Sequence, residues 1–245
     1  LEFMAFDTYT RTPKQSAMWC KATSSDNKQY LRKGYMGSLG TLLSMGEGSA
    51  IPQDGYVNGP EKTIYPAKWG LRVSVTDEAQ QTDRPKIYKD IGKELGKAAA
   101  YTLELMNYDL LNSGFSSSVR TGADGKALFA TDHPLYGVTG GTYSNLQTGA
   151  LSKTTLQAAV NKFSKIVNER NVPIVMSAKT LEIPIELEWL AKELLLSPDD
   201  PTTANRSINS LARDGYNGGP LKYRVNRFLT SQTAWFLSCD KGEQD

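Results

Sequence analysis

The only imidazole in this 245-residue chain is His133, set between Asp132 and Pro134, so general-base chemistry by an imidazole has one candidate. The enzymatic reading it permits is a Ser/His hydrolase, in which His133 takes a proton from a serine hydroxyl while a carboxylate orients the ring. No serine stands in a Gly-x-Ser-x-Gly elbow, however, and residues adjacent in sequence seldom orient an imidazole. A loop histidine that bonds locally is the stronger reading. Cys20 and Cys239 lie far apart with no CxxC spacing, and with a single histidine they cannot close a zinc site. Asp77-Glu78 and Asp199-Asp200 read as turn or helix-entry acids, and neither sits in an EF-hand loop. Gly34 to Gly37 and Gly137 to Gly141 lack the lysine and the strand-loop-helix setting of a phosphate cradle. No catalytic, metal or cofactor-binding residue is assigned, and no cofactor is expected.

Charge narrows the partners further. Lys plus Arg number 28 against 26 Asp plus Glu, and a net charge of +2 does not suit a reader of nucleic acid that works by neutralising phosphates. Any contact with DNA is expected to be weak and nonspecific. The Tyr and Trp residues, 12 and 4 in number, do not alternate with Lys and Arg as a single-strand stacking platform would. No apolar run reaches membrane-spanning length and no signal segment is visible, so a soluble chain with two reduced thiols is the expectation. Leu1-Glu2-Phe3, ahead of Met4, carries no structural weight.

With little chemistry to position, the elements themselves become the subject. Tyr30 to Leu39 and Thr63 to Val75 read as strands. Between them, Gly40 to Pro60 holds Gly40, Gly46, Gly48, Gly55 and Gly59, a length and composition that suit a long projecting loop. Thr82-Asp83 ahead of Pro85, and Asn112 to Gly114 at the far end, predict a helix over 83–112. Ile87, Ile91, Leu95, Ala98, Thr102 and Met106 predict its inward face. Gly92, Gly96 and Ala100 recur at four-residue spacing. Each glycine costs an isolated helix about 1 kcal/mol relative to alanine, which close docking of a sheet or neighbouring helix would offset.

Ser116 to Gly149 reads as irregular. Ser152 caps a second helix whose stripe of Leu156, Ala159, Val160, Phe163, Ile166 and Val167 runs on to a stop at Asn171 and Pro173. Leu181 to Ile183 predicts a short strand, and Pro184 a third helix carrying Leu187, Leu190, Ala191, Leu194 and Leu195 until Ser197-Pro198 ends it. A short helix over Thr202 to Leu211 and strands over Leu221 to Leu229 and Ala234 to Ser238 complete the reading.

Four segments in order resemble the Mu-like major head subunit family, whose members have the Hong Kong 97 fold of tailed-phage capsids. Asp124-Gly125-Lys126-Ala127-Leu128-Phe129 through His133-Pro134 is similar to that family's DG-x-x-LF-x-x-x-HP element. Trp69 to Glu78 resembles the strand returning from the extended loop into the spine helix. Leu181-Glu182-Ile183-Pro184 resembles its strand-to-helix step, and Arg227-Phe228-Leu229-Thr230 with Ala234-Trp235-Phe236-Leu237 its late strand pair. Together these cover roughly residues 60 to 240.

The resemblance implies an α+β, Hong Kong 97-type capsid fold with an N-terminal arm at 1–28 and an extended β loop at 29–75. A peripheral domain at 76–171 follows, with its spine helix, then an axial domain at 172–237 and a return segment at 238–245. The family continues past the Trp-containing strand, so an incomplete C-terminus is expected. The implied function is a non-enzymatic major capsid protein that self-assembles into pentamers and hexamers around packaged double-stranded DNA, formed in the host cytoplasm and residing in the virion. Portal, scaffold and cement proteins are the further partners it implies. Gly46, Gly48, Gly55, Tyr56, Gly59, Gly92 and Gly96 are the candidate assembly residues. An encapsulin-like compartment and a tail-tube subunit are the structural alternatives.

Overall fold

A computed structural model describes residues 2–20, 29–37, 39–55, 58–82, 87–198, 208–213 and 219–240. The chain opens with helix α1 (Glu2–Arg11) and a 3-10 turn (Ser16–Met18), then strands β1 (Leu31–Met36) and β2 (Asn58–Ile64). Helices α2 (Asp77–Gln81) and α3 (Ile87–Asn112) follow, then two-residue strands β3 (His133–Pro134) and β4 (Thr142–Tyr143). The last part holds α4 (Lys153–Ser164), β5 (Thr180–Ile183), α5 (Glu188–Leu196), α6 (Ser210–Arg213), β6 (Lys222–Val225) and β7 (Phe236–Ser238).

Helix α3 has 26 residues, about 39 Å at 1.5 Å per residue, and ends at the expected Asn112. Its expected first turn, with Asp83 and Pro85, lies outside the described residues. Its most buried side is not the apolar stripe. Gly92, Gly96, Ala100, Glu104 and Tyr108 are buried at four-residue spacing, whereas Ile91, Leu95, Ala98, Thr102 and Met106 are only half-buried. The reason is α1, within the segment expected as an N-terminal arm. A Cβ added to Gly96 would collide with the Ala5 carbonyl oxygen and lie 2.9 Å from the Thr8 Cβ, so helix backbones meet where side chains would hold them apart. The arm then climbs α3. Ser16 donates its amide and its hydroxyl to the buried Glu104 carboxylate at 3.0 and 2.6 Å, and Trp19 packs on Tyr108 at 5.6 Å between centroids.

Strands β1 and β2 form an antiparallel hairpin with Leu31 opposite Ile64 and Lys33 opposite Lys62. The second strand therefore lies earlier than the expected Thr63 to Val75. The ladder ends at the Leu31–Ile64 pair, where the Tyr30 and Tyr65 rings meet at 6.3 Å, and 65–76 is irregular.

The last part folds round a three-stranded sheet in the order β6-β5-β7, with β5 parallel to β6 and antiparallel to β7. Alternation along β5 separates two environments. Leu181 and Ile183 join Leu156 and Val160 of α4 and Ala191, Leu194 and Leu195 of α5 in the main core, the face the apolar spacing predicted. The other face presents Glu182 and Phe236, the latter clustered with Tyr108 and Leu111 of α3. Helix α4 starts as read, with Ser152 accepting from the Thr155 amide in a capping box, but it stops at Ser164, short of Asn171. The Asn168 side chain accepts from the amides of Arg170 and Val172 at 3.0 and 2.9 Å, and that local turn competes with further helix. Val167 instead bridges to Pro173, and Asn171 sits at φ 60°. The expected helix over 202–211 is described only from residue 208, where α6 accounts for its end.

Candidate assembly surfaces

His133 is held by Asp124 on one side and Tyr143 on the other. Asp124 and Gly125, the latter at φ 76°, turn the chain so that the Asp124 carboxylate accepts from the Lys126 amide at 3.1 Å and meets His133 Nδ1 at 2.6 Å. Burial acts to raise the Asp124 pKa, but the His133 hydrogen bond, the Lys126 amide and the imidazole charge outweigh it, and the carboxyl is held below its ordinary value. The ring stacks on Tyr143 at 5.1 Å, and its Nε2 is buried without a hydrogen-bond partner among the described residues. A hydrolase needs that nitrogen facing a serine and an incoming substrate. The neighbouring Phe129 packs on Phe115 and Phe236, and its amide donates to the Gly114 carbonyl at the end of α3. The Asp124 to Pro134 segment thus ties α3 to the sheet.

The junction between sheet and spine is polar at its centre. Glu182 is 2% exposed, pairs in register with Arg224 and accepts from its guanidinium, while its other carboxylate oxygen has no partner among the described residues. Burial raises its pKa, and the arginine only partly opposes that. The Tyr108 hydroxyl is pushed up to about 12, chiefly by burial, with the nearby Glu182 and Glu104 charges adding to it.

The outward surfaces are of another kind. Every residue from 41 to 55 is exposed, and the segment carries Leu42 at 100% and Ile51 at 83% exposure, with Leu43 and Met45. Tyr65, Trp69, Leu71 and Val73 continue the apolar exposure along the return segment. Leu71 and Val73 face Ile91, Leu95 and Ala98 of α3 across an open, mostly apolar groove of about 480 Å³. Val175, Ile185, Trp189 and Leu196 are further exposed apolar side chains in the sheet-bearing part. Apolar surface on this scale marks contact with other molecules.

The expected assembly residues fall in two separate places. Gly46 and Gly48 make the turn at the loop tip, with the Ser49 amide donating to Gly46 and Gly48 at φ 80°; Gly55 and Gly59 lie at the loop base and in β2. Tyr56 lies outside the described residues. Gly92 and Gly96 are buried on α3, and Gly96 already has α1 of its own chain against it. Two residues at the loop base were missed. Asp54 accepts from the Gly40 and Gly55 amides at 2.8 and 2.9 Å and pairs with Arg170 at 3.0 Å. The Gly40 amide, the Gly55 amide and Arg170 together hold the Asp54 pKa below its ordinary value. The Asp54-Gly55 turn was readable, but nothing at Arg170 advertises a partner 116 positions earlier.

Three comparisons bear on these surfaces. A model of a phage capsid protein family matches residues 60–245. The Mu-like prophage FluMu major head subunit of Haemophilus influenzae is 23% identical over 216 residues, 88% of this chain and 66% of that protein. The chain thus spans just under two thirds of that relative's length. In fold, the chain is similar to the capsid of bacteriophage JBD30 decorated with minor capsid protein trimers, with a TM-score of 0.68 at 14% identity over 89% of this chain and 92% of that one. The procapsid of the same phage gives 0.65 at 15% identity over 93% and 95%.

Proposed function

The chain belongs to the phage capsid protein family and has an α+β capsid fold, and from that premise we propose that it is the major head subunit of a tailed phage, resident in the virion. The observation that carries the reading is the hairpin projection, whose apolar side chains have no core of their own and are covered only when copies meet. Its parts are read as a Hong Kong 97-type subunit. Residues 1–28 are the arm, 29–75 the extended loop, 76–171 the peripheral domain, 172–237 the axial domain and 238–245 the return.

Function of this kind is geometry. Each subunit buries several heterologous interfaces, each near the standard size of ~1,600 Å², and rings of five and six close only where the repeated rotation closes. Axial domains meet at the ring centres, and extended loops lie across adjacent subunits. Portal, scaffold and cement proteins are the further partners, and packaged DNA is touched weakly, in keeping with a net charge of +2. Assembly takes place in the host cytoplasm. Negative-stain microscopy of particles from a phage lysate, with the chain identified by mass spectrometry, tests the reading. DNA-filled closed heads built from this chain are expected; tubes, or closed shells loaded with protein cargo, would overturn it.

A further inference from the structure

The segment 41–53 is a lobe pinched at its base. Gly40 and Asp54 are joined by the 2.8 Å hydrogen bond from the Gly40 amide to Asp54 Oδ2. Inside the lobe no residue is buried, and among the described residues the Ser49 to Gly46 bond is its one backbone hydrogen bond. Packing therefore does not set the direction in which it points. That leaves the attachments at its base.

Arg170 reaches that base from the other end of the sequence. Its Nη2 pairs with Asp54 Oδ1 at 3.0 Å and also donates to the Gly55 carbonyl, so one guanidinium grips a side chain and the adjoining backbone. The fit is tight, since a Cβ on Gly40 would lie 3.1 Å from Asp54 Oδ2 and 3.3 Å from Arg170 Nη1. The platform under Arg170 is itself stiff. Asn168 accepts from the Arg170 and Val172 amides, the Asn168 amide donates to Val172, and the Gly137 amide donates to Glu169. A second attachment, from the Lys62 ammonium to the Thr121 carbonyl, holds the hairpin lower down. Lys62 holds the strand below, whereas Arg170 and Asp54 act at the neck of the lobe itself.

We propose that Arg170 and Asp54 are positioning residues: their clamp sets the angle at which the 41–53 lobe leaves the subunit, and so decides whether neighbouring subunits close into a shell. This rests on the reading of the chain as a shell subunit. The pair is partly exposed, so it adds little to folding stability. Its loss should spare the fold and spoil the geometry, which a merely structural role would not do.

The test uses the full chain with Arg170→Ala, Asp54→Ala, the double variant and Arg170→Lys. In dispersed subunits, exchange of the Gly40 and Gly55 amides, both bonded to Asp54, should quicken about tenfold in Asp54→Ala and by a smaller factor in Arg170→Ala, with the double variant close to Asp54→Ala. The unfolding midpoint should not move. In assembly, closed shells should give way to open or irregular sheets in both Ala variants, with Arg170→Lys between them and the parent, since lysine keeps the charge on a shorter side chain that reaches Asp54 and the Gly55 carbonyl less well. Exchange at the parent rate in Arg170→Ala would show that the guanidinium does not hold the base of the lobe. Faster exchange with normal shells would show that the clamp does not position it. If the parent chain itself never closes a shell, the shell reading and the positioning role both fall, while the exchange data still report whether the contact exists.

Discussion

The junction between the three-stranded sheet and α3, and the β1-β2 hairpin, are both built from short strands, yet they expose them oppositely. In β5, Leu181, Glu182 and Ile183 are all buried, because one face meets α4 and α5 and the other meets α3. In β2 no residue is buried, and both faces of the two-stranded ladder are open. A two-stranded hairpin alone is marginal in water. One region thus owes its shape to packing inside the chain, and the other to a few polar ties at its root. The shell reading places its covering on neighbouring subunits.

The comparison predicts how substitutions divide. Leu181→Ala, in the fully buried strand, should cost roughly 2–5 kcal/mol in a denaturant titration. A loss below about 1 kcal/mol would mean that the junction core is loosely packed.

Gly96→Leu tests the arm against the spine and should cost roughly 1–3 kcal/mol, since leucine cannot fit against the Ala5 carbonyl. Its neighbour Lys97, exposed and paired with Glu94, should accept leucine within about 0.5 kcal/mol. If the two variants unfold alike, α1 does not dock where it is seen.

Glu182→Gln probes the polar centre of the junction through pH. The folded-state pKa of Glu182 lies above its ordinary 4.5, so its stabilising contribution is present below that value and is lost as pH rises through the raised one. The parent should lose stability over that window relative to the Gln variant, and parallel curves would place Glu182 in water. Asp124 has the opposite sign: its pKa is lowered, so its contribution is present above the ordinary 3.8 and fades as pH falls.

The smallest effect on folding belongs to the lobe. Replacing 41–53 with a short Gly-Ser link between Gly40 and Asp54 should change the unfolding free energy by less than about 0.5 kcal/mol, because nothing there is buried. Shell formation, followed by sedimentation, should nevertheless fail. Loss of cooperative unfolding would show that the lobe belongs to the core after all.

What the residues settled alone was local. The helix end at Asn112, the Ser152 cap, the strand at Leu181 to Ile183 and the Gly-rich projection all follow from periodicity, capping and turn chemistry, which act over a few positions. The family was legible as well, through four short motifs in order. Tertiary structure decided what depends on a distant partner. The small-residue line was readable, but not that α1 of the same chain would fill it at Gly96 and leave the apolar stripe facing a groove. The return segment was read as a strand because its side chains suit one, and only the register of β1 shows that the ladder of the described residues ends at Ile64. Arg170 looks like any surface arginine until the fold brings it to Asp54 and Gly55. A chain segment carries its own propensities with it, whereas a contact needs two segments, and the second is chosen by packing.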